Sequence, residues 1–304
     1  MDEQAKRLLE IAAQEAEVKG RSLWSDAWSR LLRNKAAMTS VIILSLMTLA
    51  VVFGPIIMKA LFGFTFDHAD WDLISAAPSL KTGHIFGTDA IGRDLFVRTL
   101  YGGRISLLVG VVATLVSLAI GITYGATSGF LGGRVDNLMM RFVDILYTVP
   151  FIFLVILLMV FFGRNIVLIF VAIGAISWLD MARIVRGQTL SLKGKEFIEA
   201  SRAIGVSTPA IIRRHIIPNL LGIVVVYITL TIPRVILVES FLSFLGLGVQ
   251  EPMTSWGALV NEGAQEMESA PWMLIFPGVF LAMTLFCFNF IGDGLRDALD
   301  PKDR

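Results

Sequence analysis

Long apolar runs alternate with polar stretches along this chain, and the lengths of the runs set the first expectation. Six of them, at about 36–63, 105–130, 143–162, 165–182, 220–245 and 271–292, are near the length that a helix needs to cross a bilayer. Only a helix satisfies its own backbone hydrogen bonds in lipid without closing a barrel, and the period-two alternation of barrel strands is absent. The pattern predicts an all-α polytopic membrane protein with six transmembrane helices. Pro150, Gly174, Pro233 and Pro277 fall inside the runs, where neighbouring helices in a bundle can satisfy the backbone groups they free. The first 35 residues are polar and the run after them is too long for a cleaved signal segment, so that run is expected to remain as an anchor.

Composition agrees with the pattern. Of 304 residues, 55% are hydrophobic and 17% charged, with mean hydropathy +0.73, where a soluble domain carries about 25% charged residues. The single cysteine, Cys287, excludes a disulfide framework and a cysteine metal cluster. The net charge of +1 carries no information about partners, but its distribution does. With the N-terminus inside, 19 of the 26 Lys and Arg residues fall on the inner side, 6 on the outer side, and one, Arg234, within a run. The positive-inside rule therefore places both termini in the cytoplasm.

Two segments between the runs stand out. Over 22–35, Leu23, Trp24, Ala27, Trp28, Leu31 and Leu32 share one helical face that ends in Arg30, Arg33 and Lys35, which suits a helix lying in the headgroup layer. A short soluble helix continuing one over 2–18 is the alternative. The loop at 64–104 is too polar to span and falls outside by the charge count, and the pattern gives no internal structure for it.

The loop between the fourth and fifth runs carries the sharpest signal. Phe197, Ala200, Ser201 and Ile204 recur at helical spacing, Gly205 is placed to end that helix, and Thr208-Pro209 reads as N-cap and first residue of the next one. Pro218 marks a further change of direction before the fifth run. The segment at about 195–206 is thus a short amphipathic helix hung on the cytoplasmic side, with an apolar face suited to a groove on a soluble partner.

Glu199-Ala200-Ser201, then Gly205, then His215-Ile216-Ile217-Pro218 resembles the E-A-A-x3-G-x9-I-x-L-P signature of ABC importer permeases. Ser201 and His215 depart from it, standing where the signature has alanine and isoleucine. Four further stretches resemble the second ("C") permease of the dipeptide, oligopeptide and nickel transport family. They are Gly87-Thr88-Asp89-Ala90-Ile91-Gly92-Arg93-Asp94, the run from Glu239 to Gly248, Ser255-Trp256-Gly257, and Gly292 to Pro301. The resemblance extends from about residue 22 to the C-terminus.

It implies a permease subunit of an importer that moves peptides across the bacterial cytoplasmic membrane. Glu199, Ala200, Ser201, Gly205 and Pro218 would form the element that couples to the ATPase. It also implies a second homologous permease, two ATPase subunits that bind ATP and Mg, and an extracytoplasmic peptide-binding protein. No cofactor and no nucleic acid are expected on this chain. The division that follows is a cytoplasmic segment at 1–35, a first helix at 36–63, the outer loop at 64–104, a five-helix permease domain at 105–298 and a tail at 299–304.

The residues give no sign of catalysis. The only Gly-Lys, Gly194-Lys195, is followed by Glu196, so the phosphate loop of a nucleotide hydrolase is missing. His68, His84 and His215 lack metal spacing, and no Ser–His–Asp set can be assembled. A secondary transporter would show two repeated halves and broken helices, and no internal repeat is evident. An intramembrane hydrolase needs polar groups at depth, and only Arg234 and Glu239 are read as such. Arg234, after Pro233, should face water or a partner rather than lipid. Glu239 lies about 140° around the helix from it, whereas Tyr227 and Thr231 fall on its side. Tyr227, Thr231, Arg234 and Glu239 are therefore the candidate path residues. The alternative for Arg234 is an ion pair buried between subunits.

Overall fold

A computed structural model describes residues 23–163 and 166–299. Among these the regular structure is helical, and extended pairing is limited to two isolated bridges, Ala69 with Arg93 and Thr88 with Asp94. The helices are α1 (Leu23–Arg33), α2 (Lys35–Phe62), α3 (Leu95–Leu131), α4 (Gly133–Thr148), α5 (Phe151–Phe162) and α6 (Ile166–Lys193). After them come α7 (Glu196–Ala203), α8 (Thr208–Ile211), a π-helical turn (Ile212–Ile216), α9 (Ile217–Phe244), α10 (Trp256–Gln265) and α11 (Trp272–Leu299).

Among the described residues, α2, α3, the continuous run Thr208–Phe244 and α11 are long and apolar enough to cross a membrane. A fifth joins them if α4 and α5 form one span. The third run, expected as one span over 143–162, is broken, since α4 and α5 meet at 80° within it. Proline explains the break. Pro150 has no N–H to donate and drives Val149 to an extended conformation (φ −78°, ψ 119°). The second helix is longer than its apolar run, because Asp94 caps it ten residues earlier by accepting from the Val97 amide at 2.7 Å.

Pro218 corrects a second expectation. The chain does not change direction there. In the π-helical turn Ile217 N–H donates to Ile212 C=O, five residues back, and this wider turn absorbs the missing donor and the ring of the proline that follows. Ser207, not Thr208, is the N-cap of α8, with Thr208 and Pro209 inside its first turn.

The stripe on α1 also divides. Ala27 and Leu31 pack onto Leu295, Ala298 and Leu299 of α11, while Trp28 and Leu32 stay exposed. Leu23 begins the helix, but its side chain, that of Trp24, and the 2–18 alternative lie outside the described residues. The scaffold for the rest is the pairing of α3 with α6. Gly121, Gly125 and Gly129 of α3 lie directly against Met181, Ala182 and Val185 to Thr189 of α6, and this lets the two backbones approach closely.

Candidate functional site

On one end of the bundle, α7 is held by its inner face. Ile198 is fully buried with Phe130, Met181, Val185, Ile211 and Ile216, and the Arg202 guanidinium lies 4.7 Å from the Phe130 ring. Ser201 belongs to this inner face rather than to the outer one that its spacing suggests. It is 8% exposed and donates its hydroxyl to Phe197 C=O at 2.7 Å.

The helix ends in a Schellman arrangement, with Val206 N–H on Ser201 C=O at 3.1 Å and Gly205 N–H on Arg202 C=O at 3.0 Å. Gly205 has φ +80°, as the sequence reading requires. What remains outward is Glu199, Ala200, Phe197 and Ile204, of which Ile204 is 80% exposed. This is a rigidly anchored knob with an apolar tip and an acid beside it. Pro218 is not part of the knob; it sits at the start of α9 behind the π-helical turn.

On the opposite side lies the layer that the sequence leaves unread. Asp89 accepts from Arg93 Nε at 2.6 Å, from the amides of Ile91 and Arg93 at 3.0 and 2.9 Å, and from Arg98 Nη1. Arg98 in turn reaches Glu262 of α10 at 3.0 Å, and Arg93 reaches Glu251 at 3.0 Å. Burial alone would raise the Asp89 carboxyl, but the charges and hydrogen bonds of Arg98 and Arg93 outweigh it and hold it below the usual carboxylate range. Asp94, the cap of α3, is hydrogen-bonded to His84 Nδ1 at 2.7 Å. Its carboxyl is pushed up, chiefly by burial, against the pull of the Val97 amide and His84. The Gly87–Asp94 motif is thus a clamp joining the outer loop, the start of α3 and α10.

Between the two ends, a cavity of about 180 Å³ opens between α4, α6 and α9. Tyr227, Thr231 and Arg234 line it. Arg234 Nη1 is 2.5 Å from Asp180 Oδ2, a partner within this chain. The Tyr147 hydroxyl donates to the other oxygen of Asp180. Asp180 escapes the sequence reading because it falls at the edge of the 165–182 run. In the structure it is near the middle of a helix that continues to Lys193. The signal was an acid with apolar residues before it and a further helical turn after it.

Glu239 is not in this cavity. It is fully buried and accepts from Ser106 at 3.2 Å and Ser243 at 2.7 Å. Ser106 also receives the Trp256 amide at 3.1 Å, so Glu239 ties α9 to α3 and α10. Among the described residues no group of three or more His, Cys, Asp or Glu could hold a metal.

Known proteins share this architecture. Residues 117–304 match the model of the binding-protein-dependent transport system inner membrane component, and residues 22–78 match the N-terminal TM domain of oligopeptide transport permease C. The oligopeptide transport system permease protein of Haemophilus influenzae is 60% identical, over 96% of this chain and 92% of that protein. Its Escherichia coli K12 counterpart is 59% identical, over 97% of each. The dipeptide transport system permease protein of Bacillus subtilis is 46% identical, over 93% of this chain and 87% of that protein. A chain of the inward-facing MetNI methionine ABC transporter matches with TM-score 0.55 at 21% identity, covering 68% of this chain and 96% of that one. At that identity the likeness is one of fold.

Proposed function

The chain belongs to the family of binding-protein-dependent transport system inner membrane components, and from that premise we propose that it is the permease subunit through which an ATP-driven importer passes oligopeptides. The chain is a membrane component of a transporter and not an enzyme. Oligopeptides are favoured as cargo by relatives that are 60% and 59% identical along nearly the whole chain. In this reading α4–α5 counts as one broken span and α6 as another, giving six. The charge distribution puts α7 and both termini on the cytoplasmic side.

The observation that carries the mechanism is α7 itself. Its inner face is locked to α3, α6 and the π-helical turn, so a force applied at Phe197, Glu199 and Ile204 reaches the bundle rather than a loose loop. An ATPase subunit would grip that knob, and a second permease with its own ATPase would complete the path between them. ATP and Mg would be bound by those ATPases, and an extracytoplasmic peptide-binding protein would deliver cargo to the opposite end. Closure of the ATPases would move α7 and shift the bundle toward its outward-open state. Tyr227, Thr231 and Arg234 would line the route.

Reversing the charge with Glu199→Lys tests this reading. The complex should insert normally, while peptide uptake and peptide-stimulated ATP hydrolysis fall together. Gly205→Val should do the same through the backbone. No atom crowds that position, so its cost is conformational, about 1–2 kcal/mol for a side chain at positive φ. Full uptake by Glu199→Lys would show that α7 is not the coupling element.

A further inference from the structure

A row of charge runs out of the cavity between α4, α6 and α9, with Arg234 and Asp180 in its lining. Arg234 pairs with Asp180 at 2.5 Å, and Asp180 accepts from the Tyr147 hydroxyl. The Arg183 guanidinium, one turn further along α6, lies 4.1 Å from the Tyr147 ring and pairs with Asp144 at 2.6 Å. The signs alternate from Arg234 to Asp180 to Arg183 to Asp144, with Tyr147 joining the two pairs.

These pairs differ in kind from the outer clamp. The side chains of Arg98 and Asp89 are 0% and 1% exposed, whereas those of Arg234, Asp180, Arg183 and Asp144 are 69%, 28%, 46% and 63% exposed. Arg234 and Asp180, which stay open near the middle of the apolar helices α9 and α6, do not face lipid. They face a space that water or a polar solute enters.

We infer that this row is a binding track for the two charged ends of a peptide. The α-carboxylate takes the place of Asp180 on Arg234, and the α-ammonium takes the place of Arg234 on Asp180. The inference rests on the peptide-import reading above. Its physical ground is charge balance. Parting Arg234 from Asp180 leaves two charges without partners, a cost that water in the open cavity lowers but does not remove. A zwitterion that enters between them re-pairs both at once, and a solute with one charge or none does not. Tyr147 holds Asp180 in place during the exchange, and Arg183 with Asp144 repeats the arrangement one step further along. The apolar remainder of the lining, among it Phe151, Ile173 and Val238, accepts side chains without selecting among them.

The test uses the full transporter in lipid vesicles, with the receptor protein preloaded in turn with trialanine, its C-terminal amide and its N-acetyl form. The same receptor serves every variant, so its own bias cancels in the comparison. Arg234→Gln should lower the preference for trialanine over the amide about tenfold, the loss expected for one charge-assisted hydrogen bond, and leave the preference over the acetylated form unchanged. Asp180→Asn should do the reverse, and Arg234→Lys should keep most of the wild-type preference.

Equal loss for all three peptides in both variants means a purely structural pair and overturns the inference. So does Arg234→Lys assembling without any preference for the free carboxylate where Arg234→Gln fails to assemble. A wild-type complex that imports none of the three overturns the peptide reading itself, and this inference with it. One that imports all three equally overturns the track alone.

Discussion

Asp89 is a small residue with four donors on its carboxylate, two of them guanidinium groups. Removing one partner of a buried pair leaves the other charge stranded, at about 3–5 kcal/mol. Asp89→Ala should therefore destabilise the detergent-solubilised protein by about 3 kcal/mol, read from thermal unfolding. Adding Arg98→Met should recover part of the loss, because the buried guanidinium left with Glu262 alone goes with it.

The pH dependence has a definite sign. The Asp89 carboxyl is lowered on folding, so its stabilisation is present above the unfolded value of about 3.9 and is lost as pH falls through the lower folded value. Asp94 is raised, so its protonation acts in the opposite sense. The difference between wild type and Asp89→Ala isolates Asp89. That difference should stay constant down to about pH 4 and shrink below it; a difference that shrinks near neutrality would contradict this assignment.

The motif around Asp89 is legible in the sequence as a motif, but its chemistry is not, because Glu251 and Glu262 reach it from far along the chain. The same limit hid the partner of Arg234. The sequence shows a charge that needs company and Tyr227 and Thr231 beside it, but the company is on another helix, 54 positions away.

At the scale of helices, six apolar runs read as spans. Among the described residues four helices are long and apolar enough to cross, or five with α4 and α5 taken as one, because lipid demands unbroken backbone pairing only of the segments that cross it. Apolar runs do not give where a helix continues beyond its run, as α3 and α6 do, since that extension is set by caps and tertiary contacts. They also do not give the break at Val149-Pro150, although the proline was visible. A proline inside an apolar run is compatible with a kink, a break or, as at Pro218, an unbroken course through a π-helical turn. Which one occurs is decided by packing.

Packing makes a sharp demand between α3 and α6. A Cβ built at Gly125 would collide with the Ala182 carbonyl oxygen and lie 2.9 Å from Val185 Cβ, and one at Gly121 would lie 2.6 Å from Met181 Cβ. A backbone carbonyl inside a helix cannot rotate away. Gly125→Leu should force the helices apart and destabilise the chain by at least the 1–3 kcal/mol of ordinary overpacking, seen as loss of folded protein after detergent extraction. Gly187→Leu, on α6 but with no atom near its side-chain position, is the matched control and should be recovered at the wild-type level. Equal recovery of both variants would mean that α3 and α6 are not closely packed in the membrane.

For the whole molecule, the proposed function needs α7 and the clamp around Asp89 on opposite sides of the membrane, because in it one would meet ATPases and the other incoming cargo. The charge distribution assigns those sides with 19 Lys and Arg residues against 6, and the structure says where the assignment can be probed. Ser255 is a poor place for a probe despite its position in an outer loop. It is fully buried and caps α10, accepting from the Ala258 amide at 3.2 Å. Glu268 in the turn before α11, Lys81 in the first outer loop, and Gly194 just before α7 are all exposed. Cys287, the single native thiol, is buried, so it contributes little background. In intact cells a membrane-impermeant thiol reagent should label Glu268→Cys and Lys81→Cys but leave Gly194→Cys unlabelled until the cells are opened. An odd number of crossings between Gly194 and Glu268 is required for that result, and Thr208–Phe244 supplies one. Labelling of Gly194→Cys from outside would put α7 on the wrong side for an ATPase. It would remove the coupling role, whatever the resemblance of its sequence.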